Sequence, residues 1–296
     1  MPMNLQWFLQ QLFNGLSTGS IYALIALGYT MVYGTIRLIN FAHGDILMMG
    51  AFFGFYLVNV QGMDFYLSLA LTMVFTSVLG VTIERVAYKP LRKSTRVAAL
   101  ITAIGVSFLL ENAMIYFFGP EVKAYPTSFK TTTFKIMGAV INSKQVLIFV
   151  TTILLMVALQ FIVKYTKMGK AMRAVAVDEE AAQLMGINVD AVISFTFALG
   201  SALAGVAGVL YGLYSNQMAA TMGLTPGLKA FVAAVVGGIG SIPGAMVGGY
   251  LIGLLETFVS AFGGSAFKDA AVYALLIVIL LVLPAGLFGK NVKEKV

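Results

Sequence analysis

Long apolar runs alternate along this chain with short polar breaks. A helix needs about 20 predominantly apolar residues to cross roughly 30 Å of hydrocarbon. Runs of that kind fall at 8–33, 38–58, 65–86, 97–118, 146–163, 192–214 and 270–286. Residues 227–262 are too long for one straight span, and VVGGIGSIPGAMVGG (235–249) interrupts them. The pattern predicts two segments there, meeting at 241–244, either full spans or shorter re-entrant halves. The expected fold is an all-α polytopic membrane protein. It would be a single transmembrane domain over 1–296 with about eight or nine spans, including broken or re-entrant helices.

Composition agrees with lipid as the solvent. Hydrophobic residues make up 59% of the chain and charged residues 10%, where a soluble domain carries roughly 25% charged. Mean hydropathy is +0.92. The absence of Cys excludes disulfides and thiolate metal sites, and a single His excludes a multi-histidine cluster. The first residues, MPMNLQW, lack the basic region of a cleaved secretory signal, so the first run reads as a retained span.

The net charge of +7 is unevenly distributed. Taking alternate loops, Arg37, the cluster at 85–96, the cluster at 164–173 and Lys290, Lys293 and Lys295 share one side, 13 of the 19 basic residues. Lys123, Lys130, Lys135, Lys144, Lys229 and Lys268 share the other. Basic loops favour the cytoplasm, which puts the N-terminus outside and the C-terminus inside. The charge then marks membrane topology, and no nucleic-acid partner is expected. The polar loop 119–145 would lie outside and the charged loop 164–190 inside.

Many of the 31 glycines recur at small-x-x-x-small spacing, as in Gly200…Ala204…Gly208 and Gly244…Gly248. Such faces let helices approach closely in lipid. HGDILMMGAFFGF (43–55) and PGAMVGGYLIGLL (243–255) echo one another weakly, a pattern that repeated broken segments around a transport path would produce.

Two stretches could carry chemistry. In the loop GKAMRAVAVDEEAAQLMGINVDAV (169–192), Asp178, Glu179 and Glu180 suit the positive end of a helix dipole. Asp178 is the predicted cap, Ala181, Ala182 and Leu184 continue a short helix, and Gly186 ends it. In INFAHGDILMMGAF (39–52), Asn40, His43 and Asp45 interrupt an apolar run, and Gly44 permits unusual backbone angles. An ionised Asp mid-bilayer costs about 2.5–3.5 kcal/mol on insertion scales, so Asp45 should face protein or water. Asn40, His43, Gly44 and Asp45, with Gly237, Gly238, Gly240, Pro243 and Gly244, are the candidates for a translocation pathway or gate. A competing reading makes the first set a helix cap near the inner interface. Glu84, Glu111 and Glu256 are further intramembrane acids, best read as interhelical hydrogen-bonding groups, with Glu84 snorkelling beside Arg85. Trp7, Phe8, Tyr116, Phe117 and Tyr165 read as interfacial anchors.

Glu180-Ala181-Ala182 followed by Gly186 resembles the cytoplasmic "EAA" loop of bacterial ABC-importer permeases. Ser20–Phe52 and Gly227–Glu256 resemble the branched-chain amino acid permease family of the LivH type, in that family's order along the chain. The resemblance implies a non-enzymatic permease subunit in a bacterial inner membrane. ATP-binding cassette subunits would hydrolyse ATP/Mg and grip Asp178–Gly186, with no cofactor on this chain, which lacks the G-x-x-x-x-G-K-S/T loop. A second, LivM-like permease subunit and a soluble substrate-binding protein would complete the assembly. Sister permeases for urea and short amides share the N-x-A-H-G pattern, so that cargo stays open. So does an ion-coupled secondary transporter, which would explain broken helices and Asp45 but not the E-A-A-x-x-x-G loop. A Ser–His hydrolase has only His43 to draw on and no nucleophile-like turn.

Overall fold

The fold is seen in a computed structural model that describes residues 4–92, 94–125 and 131–289, with backbone only for Arg96 and Ile136. Lys93, Lys130, Lys290, Lys293 and Lys295, used above for topology, lie outside the described residues. The helices are α1 (Leu5–Ile36), α2 (His43–Phe55), α3 (Phe65–Ile83), α4 (Arg96–Phe118), α5 (Ser143–Tyr165), α6 (Lys167–Val177), α7 (Glu179–Leu184), α8 (Val189–Ser215), α9 (Leu224–Gly237), α10 (Ile242–Gly263) and α11 (Lys268–Val282). A π-helical turn extends α2 to Val60, and π and 3-10 turns extend α3 to Leu91. Eight of these elements are long and apolar enough to cross a membrane, so the chain is a multi-pass, all-α membrane protein.

Small residues set the centre of the bundle. In lipid, close backbone packing does much of the work that hydrophobic burial does in water. A methyl on Gly19 of α1 would come within 2.8 Å of the Tyr250 Cα in α10, and one on Gly50 of α2 within 2.5 Å of the Gly205 Cα in α8. Gly28 and Gly200 bring α1 against α8 in the same way. Pairings such as Gly34 with Gly240 and Trp7 with Phe262 run α1 antiparallel to α10. The helices therefore end on two faces. One carries Arg37, Lys89, Arg92, Lys164 and Arg173 and is here termed the basic face. On the other, the hairpin of β2 (Thr133–Ile136) and β3 (Ala139–Asn142) is pinned to α1 by two hydrogen bonds between the Gln10 amide and Val140, 2.8 and 3.0 Å. Two-residue strands β1 (Lys123–Ala124) and β4 (Gln217–Met218) pair on that hairpin face.

Two elements start inside the layer. The run predicted at 38–58 becomes helical only at His43. Arg37 ends α1 in the left-handed region, φ 52°, and the chain turns back until the His43 ring lies 4.7 Å from Tyr29. Tyr29 is about 10 Å along α1 from Ile36 at 1.5 Å per residue. Likewise α9, 14 residues and about 21 Å long, is too short to cross alone. The stretch 216–223 descends from the hairpin face without helix, and α9 completes the passage. Residues 227–262 thus contain a half-helix and a full helix, joined at 238–241, where Gly238 and Gly240 take positive φ of 103° and 93°. Among the described residues, the eight long helices and the shorter α9 together give nine passages between the two faces. The weak echo noted above pairs unlike parts: His43 opens a helix inside the layer, whereas Pro243 opens α10 at the basic face. The counterpart of α2 is α9.

Two charge assignments change with the fold. Lys229, read as a loop residue, is buried in α9. Glu84, read as snorkelling beside Arg85, is fully buried and paired with Arg92. In both cases a partner elsewhere in the chain outweighs the pull toward the interface.

Candidate functional site

The N-termini of α2 and α9 meet at glycine. A methyl on Gly44 would lie 2.5 Å from the Gly223 carbonyl oxygen and 3.4 Å from the Gly227 Cα, so any side chain would force the two half-helices apart. Beside this junction is a cavity of about 170 Å³, bordered by Tyr29, Asp45, Ser107, Phe108, Leu224 and Leu228 among others. Asp45 is 1% exposed and lies against Ser107 and Glu111 of α4. Asp45 Oδ1 and Glu111 Oε1 are buried without a hydrogen-bond partner. Among the described residues neither carboxylate has an ion pair.

The other polar groups of the 39–52 stretch point elsewhere. Asn40 faces α3, where the Tyr88 hydroxyl donates to its Oδ1 at 2.7 Å. His43 turns toward α1, packed on Tyr29 and against Gly28. Of the four candidates in this stretch only Gly44 and Asp45 line the cavity, beside Phe41. Gly237, Gly238, Gly240, Pro243 and Gly244 lie about one α9 length away at the basic face. There Gly237 and Gly244 touch through their backbones, and Gly238 meets Gly289. The C-terminal stretch closes this knot: Leu287 and Phe288 donate backbone N–H to the Val236 and Gly237 carbonyls, each at 2.9 Å, satisfying the end of α9. Pro243 is exposed in the first turn of α10.

At the basic face, Thr166 caps α6 at the Gly169 N–H, 3.0 Å. Asp178 then caps α7 at the Ala181 N–H, 2.9 Å, with Glu179 and Glu180 in its first turn and Gly186 at φ 82° past its end. Ala182 is buried, yet Val177, Leu184 and Met185 are each more than 80% exposed. A groove of about 1000 Å³ runs beside them, lined by Lys89, Arg92, Glu179, Glu180, Gln183 and Asp190 among others. Lys89 and Arg92 each bind Asp190 at 2.6 Å, and Arg92 also pairs with Glu84. The Ser194 hydroxyl donates to Glu84 at 2.7 Å. These pairs tie α3 to α8 beside the loop, and among the described residues no ion pair involves α6 or α7 themselves.

A third polar cluster was not legible as such. Glu256 of α10 accepts from the Tyr22 hydroxyl at 2.6 Å and from Lys229 at 2.7 Å, and Lys229 also binds Asp269 at 2.6 Å. The signal was present: a Lys and two acids within otherwise apolar segments.

Half-helices meeting inside a bundle characterise membrane transporters, whose broken helices frame a path near mid-layer. The fold and the carboxylate-lined junction place this chain in that class. A family model described as "Branched-chain amino acid transport system / permease component" matches residues 11–283, and the chain belongs to this family. It is 45% identical to the high-affinity branched-chain amino acid transport system permease protein LivH of Escherichia coli K12, over 98% of both chains. It is 44% identical to the corresponding protein BraD of Pseudomonas aeruginosa, again over 98% of both. Among solved structures it resembles PsaBC from Streptococcus pneumoniae, with a TM-score of 0.50 and 12% identity over 93% of this chain and 92% of that one. That likeness supports the fold.

Proposed function

We propose that the chain is one membrane subunit of an ATP-driven importer for branched-chain, apolar amino acids in a bacterial inner membrane. A soluble binding protein delivers the cargo on the hairpin face, which is outside. The basic face is cytoplasmic, in keeping with the excess of Lys and Arg there. A second, LivM-like permease subunit pairs with this one. ATP and Mg bind separate ATP-binding cassette subunits, and their closure is transmitted through α7 to α3 and α8, reorienting the helices between outward and inward access. The printed names of the relatives supply the cargo class.

The observation that carries this reading is α7 itself. A six-residue helix, capped and anchored by Ala182, holds Leu184 and Met185 out in solvent beside an acidic edge and a wide groove. Exposed large apolar side chains on a rigid, charged element are a docking surface. Leu184→Asp is expected to abolish co-purification of the ATP-binding cassette subunits and to leave the thermal unfolding midpoint of the purified chain unchanged. Uphill uptake by the chain in vesicles without any ATPase subunit would end this reading.

A further inference from the structure

The cavity at the α2–α9 junction poses a charge problem. Its two carboxylates come from different helices, Asp45 from α2 and Glu111 from α4, and both are more than nine-tenths buried. Asp45 lies in the first turn of α2, where the helix dipole favours an acid. That explains why an acid is tolerated, but not why Glu111 is brought to the same place. Nor does it explain why one oxygen of each has no partner. Buried polar atoms are otherwise almost always satisfied. The two carboxyls hydrogen-bond one another and Ser107 donates to Asp45, so a shared proton relieves part of their repulsion. A single cation between them would satisfy the two oxygens that remain without a partner. Apart from the Tyr29 and Ser107 hydroxyls, the walls are apolar or backbone: Ile104, Phe108, Leu224 and Leu228, with Gly44, Gly223 and Gly227. The volume, about 170 Å³, is several times the roughly 30 Å³ share of a water molecule and well below the about 300 Å³ of pockets for drug-sized ligands. The opening is lateral, since Phe108, Leu224 and Leu228 are exposed.

We infer that this cavity is a cargo-binding station, in which Asp45 and Glu111 receive the α-ammonium of an amino acid and Phe108, Leu224 and Leu228 receive its apolar side chain. The α-carboxylate then faces the N-terminal turn of α9, whose dipole favours an anion. The Leu224 and Gly227 N–H groups there already bond the Thr221 and Gly223 carbonyls and Pro226 has none, so the dipole acts without them. Each end of a zwitterion meets its complement, and among the described residues no cation pairs with the two acids. The inference rests on the amino-acid cargo proposed above and adds where and by which groups the cargo is held. It also implies that urea and short amides, which lack an ammonium, are poor cargo for this chain.

The test uses the complete transport assembly in vesicles, with leucine uptake and ATP hydrolysis measured together. In the double variant Asp45→Asn/Glu111→Gln, uptake is expected to fall about ten- to a hundred-fold, the range for loss of a charged hydrogen bond. Hydrolysis stimulated by the loaded binding protein is expected to persist, so cargo moved per ATP drops. Leu228→Trp, which fills the cavity from its rim without touching either acid, should produce the same split. Unchanged uptake in both would overturn the site. A proportional fall in uptake and hydrolysis would overturn it too, by showing that the acids only support the fold. A wild-type requirement for sodium that the double variant abolishes would make the occupant a metal cation and also refute the inference. A wild-type assembly that hydrolyses ATP but moves no branched-chain amino acid would instead defeat the cargo reading, and this inference with it.

Discussion

Lys229 and Asp45 sit on the two half-helices, both buried, yet their charges are handled differently. Lys229 is enclosed by its own counter-ions: Glu256 at 2.7 Å, Asp269 at 2.6 Å, with Tyr22 completing the Glu256 carboxylate. Asp45 shares its surroundings with another acid and with no described cation. The first cluster is ion-paired and ties α9 to α10 and α11, and Tyr22 and Glu256 also border a cavity of about 400 Å³. The second has no ion pair among the described residues and borders a cavity of about 170 Å³. A buried charge with a permanent partner is a fastener, whereas one without is free to bind something that comes and goes. The comparison predicts that the two clusters should respond oppositely to losing a charge.

The largest effect is expected at the ion-paired cluster. Lys229→Met keeps the length of the side chain and removes the ammonium, leaving Glu256 beside Asp269 with only the more distant, partly exposed Lys268, 3.4 Å away, to offset part of the loss. Breaking a buried pair from one side costs about 3–5 kcal/mol. The thermal midpoint of the purified chain in detergent should fall by more than for any other single charge removal discussed here. Converting Glu256 to Gln in the same molecule should restore part of the loss. A midpoint equal to wild type for Lys229→Met would erase the distinction between the two clusters.

An intermediate case lies at the basic face. Glu84 is fully buried, but its cation Arg92 is 16% exposed against 2% for Lys229, so water reaches the cation here, while the outer acids Asp190 and Asp269 are alike at 54% and 51%. Arg92→Met leaves Glu84 with only the Ser194 hydroxyl. The expected cost is about 1–3 kcal/mol, the range for a buried acceptor deprived of one partner. Because Lys89 still holds Asp190, the tie between α3 and α8 weakens without parting. A cost as large as that of Lys229→Met would mean that exposure does not grade these networks.

How much of this was readable from the chain follows from which forces are local. The spans at 65–86 and 97–118 were readable because bilayer thickness imposes a length that hydropathy reports directly. The cap at Asp178 and the stop at Gly186 were readable because capping is decided within four residues. The late start of α2 was not: the stretch before it is held by a contact that hydropathy does not report, the Tyr88 hydroxyl donating to Asn40 from 48 positions downstream. Lys229 was assigned to a loop for the same reason: its partners lie 27 and 40 positions downstream, and hydropathy alone treats an unpaired Lys as a boundary. Asp45 and Glu111 were each recognised as intramembrane acids, and only the packing of α4 on α2 makes them one site. Gly44 was expected to take unusual backbone angles, but its φ is not positive and its role is the close approach to Gly223 and Gly227, which shows only once the two helix ends are seen to meet there.

The smallest effect is expected at Asp45. Asp45→Asn is nearly isosteric, so the cavity and the Gly44–Gly223 contact are preserved. It removes one of two neighbouring acids, relieving their repulsion, and gives up a favourable first-turn charge on α2, typically about 0.3–1 kcal/mol. These contributions oppose one another, and no cation is left behind unpaired, so the sum should stay within about 1 kcal/mol of zero. The thermal midpoint should therefore remain near that of wild type or rise slightly, in contrast with the large drop for Lys229→Met. The sign matters more than the size. A group kept for stability loses stability when neutralised, and a group kept for binding need not. If Asp45→Asn destabilised the chain as severely as Lys229→Met, Asp45 would belong with the fasteners, and the second cluster would have to be explained by packing alone.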